Sequence, residues 1–204
     1  MTLDDQITEG YHKGIQRIGV IEVICGSMFS GKTEELMRRI KRALIAKLNV
    51  LVFKPFTDTR YHETNVVSHD QNSIAAIPVF TANEILDLVE DTDVVGIDEA
   101  QFLDEGIVEV CQTLADRGIR VIVSGLDLDF LRRPFGPMPA LISIADRVNK
   151  VHAVCMDCGA PANYSYRLSK SDEVVMLGAK NEYLCLCRHC YLERSKKIRY
   201  ERED

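Results

Sequence analysis

Short apolar runs alternate with segments of helical periodicity through most of the chain. A strand-like run at residues 20–24 is followed by apolar residues at helical spacing, namely Leu36, Met37, Ile40, Leu44 and Leu48. Further strand-like runs lie at 50–53, 94–97 and 119–123. This alternation predicts an α/β domain whose parallel sheet is covered by helices.

Two of the connecting helices carry end signals. Thr81 and Glu84 match a capping box, which predicts a short helix through Val89. A second helix is predicted from about Gly106 to a C-cap at Gly118.

The pattern changes after Ser124. Residues 126–137 mix aromatic, basic and turn residues without a period, as loops that bind ligands often do. Beyond Val154 the alternation stops, so we place a domain boundary near residue 153. The predicted division is a flexible N-terminal segment (1–17), an α/β domain (18–153), a second small domain (154–192) and a charged C-terminal tail (193–204).

The composition argues against several classes of protein. The chain has 204 residues, 46% of them hydrophobic, and a net charge of −6. An acidic balance argues against a surface built chiefly for nucleic acid. The N-terminus lacks the pattern of a signal peptide, and no apolar run approaches the roughly 18 residues of a membrane span. We therefore expect a cytoplasmic protein that binds neither membrane nor nucleic acid.

A G-x-x-x-x-G-K-[ST] motif follows the first strand-like run. Its residues are Gly26, Ser27, Met28, Phe29, Ser30, Gly31, Lys32 and Thr33. The glycines let backbone N–H groups converge on a phosphate, and the following helix adds its positive dipole end. Lys32 would contact the transferring phosphate and Thr33 would bind Mg²⁺. A glycine-rich turn is the alternative, but the flanking strand and helix favour a phosphate-binding loop (P-loop).

Asp98 and Glu99 end the apolar run at 94–97. At the rim of the sheet, Asp98 would hold Mg²⁺ through water, while Glu99 accepts the proton of an attacking hydroxyl. A solvated acidic strand end is the alternative.

Asp58 and Arg60 follow the second strand-like run and could face the same phosphates, with Arg60 offsetting charge on the transferring group. A surface loop explains them equally well. His62 and His69 are more typical of surface or hydrogen-bonded histidines.

Two C-x-x-C pairs suit a closed tetrahedral zinc site formed by Cys155, Cys158, Cys187 and Cys190. The 28 residues between the pairs exceed the usual spacing, so the metal would staple the ends of a long loop. Cys185 could replace Cys187, His189 is a conceivable ligand, and buried free thiols are the alternative. Cys25 and Cys111 lie in apolar patterns typical of a core.

Together these motifs resemble the type II thymidine kinases, the zinc-containing class. The resemblance runs from about Ile18 to Tyr191. Besides the P-loop and the cysteine pairs, it comprises Phe-Lys-Pro at 53–55, Asp-Thr-Arg-Tyr at 58–61, Asp-Glu-Ala-Gln-Phe at 98–102 and Arg-Pro-Phe-Gly at 133–136.

The resemblance implies a RecA-like parallel sheet with a P-loop, plus a small zinc-binding domain whose lasso loop closes over the nucleoside. It implies transfer of the γ-phosphate of ATP, with Mg²⁺, to the 5′-hydroxyl of deoxythymidine. Glu99 would be the general base, assisted by Arg60, and Asp58 and Gln101 would join the phosphate-binding set. One structural zinc, a homotetramer and feedback inhibition by thymidine triphosphate are also implied.

The same resemblance assigns the nucleoside pocket. The side chains that match base-enclosing positions are Met28, Phe102, Leu126, Phe130, Phe135 and Tyr183, and Arg167 matches the arginine of the lasso. The polar edge of the base would be read by the backbone of Val174, Val175, Met176, Leu177 and Gly178.

Two other classes of protein share parts of this pattern. A helicase-like P-loop ATPase would use the same glutamate to activate water, but the chain has no second P-loop. A non-enzymatic zinc-ribbon module would account for the cysteines but leave Lys32, Thr33, Asp98 and Glu99 without a role.

Overall fold

The computed structural model describes residues 18–56, 65–67, 73–168 and 182–200. The predictions for the segment 1–17, for Asp58, Arg60, His62 and His69, and for the backbone of residues 174–178 lie outside these ranges.

The chain forms short strands and five α-helices in the part that the structure describes. The strands are β1 (Val20–Cys25), β2 (Val50–Pro55), β3 (Asn65–Val67), β4 (Ser73–Ala75), β5 (Ile77–Val79), β6 (Val94–Ile97), β7 (Arg120–Gly125), β8 (Arg147–Lys150), β9 (Ala153–Val154), β10 (Pro161–Ala162), β11 (Tyr164–Arg167) and β12 (Tyr183–Leu186). The helices are α1 (Lys32–Ile45), α2 (Asn83–Leu88), α3 (Ile107–Asp116), α4 (Met138–Ile144) and α5 (Arg188–Tyr200), with a 3₁₀ turn at Ala100–Phe102.

The main sheet has six described strands in the order β5-β2-β6-β7-β1-β8, and every pairing in it is parallel. Strand β7 therefore lies between β1, which leads into the P-loop, and β6, which leads into Asp98. The predicted parallel sheet is confirmed.

Both faces of the sheet are covered, which is why its central strands are apolar throughout. On one face, Leu36 and Ile40 of α1 pack against Ile122 of β7. On the other face, Leu114 of α3 packs in the same cluster as Val123. Neighbouring residues of one strand thus point into two separate cores.

Several boundaries differ from those predicted. Helix α1 ends at Ile45, so Leu48 lies beyond it, and Leu44 is exposed. Helix α2 ends one residue before Val89, and the Glu84 carboxylate accepts a hydrogen bond from the Thr81 N–H, as in a capping box. None of the described helices is both long and apolar enough to cross a bilayer.

The sequence pattern did not predict α4 or β8. All four residues of β8 are exposed, and the strand is held at the edge of the sheet by its pairing with β1. Such a strand carries no apolar alternation. The predicted boundary at residue 192 falls inside α5.

The C-terminal part of the described chain, from β9 onward, forms a second, smaller unit. Strands β11 and β12 form an antiparallel pair that packs with α5, and β12 also contacts the antiparallel pair of β9 with β10. Its own core contains Tyr164, Tyr166, Cys185, Leu186 and Tyr191. We call this unit the cysteine ribbon.

A buried charge lies in the middle of β1. Glu22 is fully buried, and its carboxylate accepts hydrogen bonds from Arg39 of α1 (2.6 Å) and from Arg120 of β7 (2.7 and 3.0 Å). Arg39 also binds Glu35 of α1 at 2.8 Å. The network ties α1 to the two strands beneath it.

Glu22→Gln should destabilise the fold by about 3–5 kcal/mol, because it leaves two buried guanidinium groups without their carboxylate. Urea denaturation measures the change in the free energy of unfolding. Glu109→Gln, which alters an exposed glutamate of α3, is the control and should change it by less than ~0.5 kcal/mol. Equal losses in the two variants would contradict the role of Glu22.

Candidate active site

Three neighbouring strands deliver the chemical groups of the site. Because β1, β7 and β6 are parallel, their carboxyl ends lie at one edge of the sheet. The P-loop follows β1, Ser124 lies near the end of β7, and Asp98 follows β6. The structure thus brings together the P-loop and the acidic pair that the sequence analysis singled out separately.

The P-loop has the backbone that its glycines allow. A Cβ at Gly26 would lie 2.3 Å from the carbonyl oxygen of Val151, so a side chain cannot fit there. Gly31 has φ 84° and immediately precedes α1. The first N–H groups of this 14-residue helix have no intrahelical partner, and they form an anion site at the mouth of the loop.

Lys32 lies inside this loop. Its Nζ donates a hydrogen bond to the Ser27 carbonyl oxygen (2.7 Å), and the residue is buried. Burial lowers the pKa of Lys32, while the charges of Glu99 and Asp98 oppose the change. A phosphate would supply the negative charge that favours the ammonium form.

Thr33 and Asp98 meet across the mouth of the loop. The Thr33 hydroxyl donates to an Asp98 oxygen at 3.3 Å. Burial and the neighbouring charge of Glu99 raise the pKa of Asp98 to about 7, although Ser124, the Glu99 backbone and Lys32 act in the opposite direction. A divalent cation would favour the ionised carboxylate, so the oxygen-donor pair fits Mg²⁺.

Glu99 has a left-handed backbone, with φ 53° and ψ 39°, which is uncommon for a residue other than glycine and is often found at functional sites. The Gln101 side-chain amide donates a hydrogen bond to a Glu99 oxygen and accepts another from the Leu126 N–H (2.9 Å). Gln101, which was predicted to bind phosphate, thus connects Glu99 to the segment after β7.

Two aromatic groups lie near this edge. Phe102 and Phe135 are in edge-to-face contact, with ring centroids 5.6 Å apart. The Arg167 guanidinium lies 3.7 Å from the centroid of the Phe130 ring and donates hydrogen bonds to the Tyr183 hydroxyl (2.6 and 3.0 Å). Five of the residues predicted to surround the base therefore form two clusters.

The loop that carries Phe130 is held against the cysteine ribbon. The Tyr191 hydroxyl donates to the Phe130 carbonyl oxygen (2.8 Å), and Arg132 lies over the Tyr191 ring at 4.8 Å. Within the loop, Asp129 accepts hydrogen bonds from the N–H groups of Leu131 and Arg133 (both 2.8 Å). The loop has no periodic pattern because its structure comes from these individual contacts.

Four thiols converge at the far end of the ribbon. The sulfur atoms of Cys155, Cys158, Cys187 and Cys190 lie within 4.8 Å of one another, and Cys158 and Cys187 are 3.7 Å apart. In a tetrahedral site with Zn–S bonds of 2.3 Å, sulfur atoms would be about 3.8 Å apart. The four residues therefore fit zinc. Cys185 and His189 are not part of the cluster.

The four thiols differ in how readily they ionise. Burial opposes ionisation of Cys155, but backbone N–H groups of Cys187, Asp157 and Cys158 lower its pKa to about 6. Burial and hydrogen bonds with neighbouring thiols raise the pKa of Cys190. Four thiolates at these separations need a positive charge between them.

Some residues at the site were not predicted. One carboxylate oxygen of Asp127 is buried and lacks a hydrogen-bond partner among the described residues. Asp127 pairs through its other oxygen with Lys150. Ser165 and Cys185 touch the backbone of Met28 in the P-loop. Of these, only Asp127 lies in a segment that the sequence marked as a binding loop.

Comparisons with known proteins agree with one another. The thymidine kinase family model matches residues 19–191. A thymidine kinase from Porphyromonas gingivalis is 60% identical over 189 residues, covering 93% of this chain and 92% of the relative. The Bacteroides thetaiotaomicron thymidine kinase is 57% identical over 185 residues (91% and 93%), and that of a Rhodothermus species is 56% identical over 174 (85% and 82%).

Similarity to the solved structures found is weaker. Domain III of the replication initiation protein DnaA from Thermotoga maritima superimposes with a TM-score of 0.42 and 14% identity, covering 72% of this chain and 60% of that one. This match adds nothing to the assignment. The family model and the relatives confirm the resemblance seen in the motifs: the chain belongs to the thymidine kinase family.

Proposed function

We propose that this chain transfers the γ-phosphate of ATP to the 5′-hydroxyl of deoxythymidine, with Glu99 as the general base. One observation carries the assignment of roles. The carboxylate of Glu99, held by Gln101, stands at the same sheet edge as the P-loop lysine. Membership of the thymidine kinase family supports the reaction and the choice of acceptor.

The phosphate side of the site would hold the triphosphate of ATP. Backbone N–H groups of the P-loop and the start of α1 would surround its oxygens, and Lys32 would leave the Ser27 carbonyl to contact them. Thr33 and Asp98 would hold Mg²⁺, which when bound would neutralise charge on the phosphates.

The acceptor side would bring a nucleoside hydroxyl to Glu99. In the transfer, the 5′-oxygen forms a bond to the γ-phosphorus, the bond to the β-phosphate oxygen breaks, and ADP leaves. The hydroxyl proton passes to a carboxylate oxygen of Glu99. The Gln101 amide orients the Glu99 carboxylate. Because Gln101 also accepts a hydrogen bond from Leu126, it links the general base to the nucleoside pocket.

The nucleoside base would occupy the space between the two aromatic clusters. Phe102 with Phe135 and Phe130 with Tyr183 supply flat apolar surfaces, and Met28 and Leu126 complete the apolar lining. The backbone of residues 174–178 would contact the polar edge of the nucleoside base, whereas Asp58 and Arg60 would act on the phosphate side, with Arg60 offsetting charge on the transferring group. Arg167 would stiffen this wall, because it both stacks on Phe130 and hydrogen-bonds to Tyr183.

Zinc would have a structural role. Four cysteine ligands close a tetrahedral site and leave no open position for substrate. By joining the β9–β10 end of the ribbon to the start of α5, the metal would fix the frame that carries Tyr183 and Tyr191.

The resemblance to type II enzymes also supports a homotetramer, feedback inhibition by thymidine triphosphate and a cytoplasmic location. A helicase-like motor is less well supported, because Gln101 connects Glu99 to Leu126, one of the predicted base-enclosing residues, and the relatives named above are thymidine kinases.

Thymidine should be phosphorylated faster than other nucleosides. Purified protein is incubated with Mg-ATP and thymidine, deoxycytidine, deoxyguanosine or no nucleoside, and nucleoside monophosphate and ADP are quantified by chromatography. We expect thymidine monophosphate to form with an equal amount of ADP. ADP release that does not depend on a nucleoside would instead indicate a motor ATPase.

Glu99→Gln should lower kcat by roughly a hundredfold or more, because the amide cannot accept the hydroxyl proton. Binding of ATP, measured by calorimetry, should change little. Glu105→Gln, at a nearby exposed glutamate, is the control and should keep normal turnover. Turnover of Glu99→Gln close to that of the control would refute the general-base assignment.

Purified, chelator-free protein should contain one zinc ion per chain by elemental mass spectrometry. Cys158→Ser should reduce the zinc content and the melting temperature, because it removes one of four ligands. Cys111→Ser, at a buried thiol of α3, should keep its zinc. Far less than one zinc per chain in the unsubstituted protein would exclude the four-cysteine site.

A further inference from the structure

The backbone of one P-loop residue, Met28, is held by the cysteine ribbon through both its N–H and its carbonyl group. The Met28 N–H donates a hydrogen bond to the Ser165 hydroxyl oxygen (3.1 Å). The Cys185 thiol donates to the Met28 carbonyl oxygen, with the sulfur 2.6 Å from it. Neither Ser165 nor Cys185 has a role in the chemistry described above.

Ser165 and Cys185 are a matched pair. They are direct cross-strand partners in the antiparallel pairing of β11 with β12, so their side chains project on the same face of the ribbon. Cys185 is fully buried and Ser165 is 6% exposed. A third contact, from the Ser27 hydroxyl to the Ala162 carbonyl oxygen (3.3 Å), joins the adjacent P-loop residue to β10.

The four-thiol cluster of the ribbon helps to fix the position of Ser165 and Cys185. Cys187, a member of the four-thiol cluster, lies two residues after Cys185. The Cys185 carbonyl also accepts a hydrogen bond from the Met156 N–H (2.9 Å), between the two cysteines of the first C-x-x-C pair. The contacts therefore run continuously from the four-thiol cluster to the P-loop.

The two contacts with Met28 lie in the part of the P-loop that is next to Lys32. Met28 lies next to Ser27, whose carbonyl accepts the hydrogen bond from Lys32, and Phe29 follows with a left-handed φ of 57°. The two successive peptide groups on either side of the Met28 Cα are each fixed by one hydrogen bond, so neither can rotate without breaking it. The neighbouring N–H groups thus keep the orientation that a phosphate requires.

We propose that Ser165 and Cys185 are positioning residues that hold the P-loop in its nucleotide-binding conformation, which makes the cysteine ribbon a structural part of the ATP site. The proposal rests on the proposed function only in taking ATP as the ligand of the P-loop. It does not depend on which hydroxyl receives the phosphate.

The test is equilibrium binding of a fluorescent ATP analogue with Mg²⁺ and without nucleoside, applied to the full chain. Ser165→Ala and Cys185→Ala should each weaken binding by about threefold to tenfold, the usual effect of one hydrogen bond. Cys185→Ser, which keeps a donor at that position, should recover most of the loss. Zinc content should stay at one per chain in every variant.

Cys111→Ala is the matched control. It removes an equally buried thiol from α3, which packs on the sheet face opposite α1, and should leave the affinity for the ATP analogue unchanged. Melting temperatures of all variants show whether a loss of affinity reflects a general loss of stability. If Cys185→Ala does not fold, Cys185→Ser and Ser165→Ala carry the test.

The double variant shows whether Ser165 and Cys185 act together or independently on the affinity for the ATP analogue. Because both residues hold the backbone of Met28, Ser165→Ala with Cys185→Ala should weaken binding by less than the product of the single effects. The proposal would be overturned if the losses of affinity in the two single variants multiplied in the double variant. It would also be overturned if Cys185→Ala bound the ATP analogue as tightly as Cys111→Ala, or if Cys185→Ser bound it as weakly as Cys185→Ala. An unsubstituted protein that binds ATP but does not phosphorylate thymidine would refute the proposed function and leave this proposal standing.

Discussion

The parallel direction of three adjacent strands determines where the reactive groups of this protein meet. Strands β1, β7 and β6 end at one edge of the sheet, and strands in such a sheet are about 4.8 Å apart. The P-loop and Asp98 therefore emerge roughly 10 Å from each other, with β7 between them. The first turn of α1 spans this gap, since Thr33 reaches to within 3.3 Å of Asp98. An antiparallel arrangement would place one of these groups at the opposite edge.

The orientation of α1 is as important as the position of its first turn. Its apolar side packs on the sheet through Leu36 and Ile40, and its Arg39 inserts toward Glu22 in the interior. Apolar contacts alone would tolerate a small rotation of the helix, because they are not directional. The hydrogen bonds of a buried guanidinium and carboxylate have a defined geometry, so they fix the direction in which the N–H groups of the first turn point.

The proposed nucleoside pocket draws on both structural units. The loop after β7 carries Phe130, but Tyr191 of α5 and Arg167 of β11 hold that residue in place. The P-loop likewise contacts the ribbon at Met28. The P-loop and the loop that carries Phe130 are consequently supported by the same unit. The ribbon, which supplies none of the proposed catalytic groups, thus contacts both of the proposed binding regions.

The sequence by itself determined the features whose geometry is local. A P-loop, an acidic pair at the end of a strand and two C-x-x-C turns are each built from consecutive residues, so their patterns predicted the sheet edge and the four-thiol cluster that the structure contains. The pattern did not predict α4 or β8; all four residues of β8 are exposed, so the strand shows no apolar alternation, and it pairs with β1 through the backbone. It also left the choice between Cys185 and Cys187 open. The structure decides this point because β12 ends at Leu186: Cys185 remains on the strand and faces Met28, while Cys187 turns toward the other thiols. The contact of Ser165 with Met28 spans 137 positions of the chain. Only the tertiary structure could show it, because a hydrogen bond between distant residues depends on how the two units pack and leaves no periodic signal in either segment.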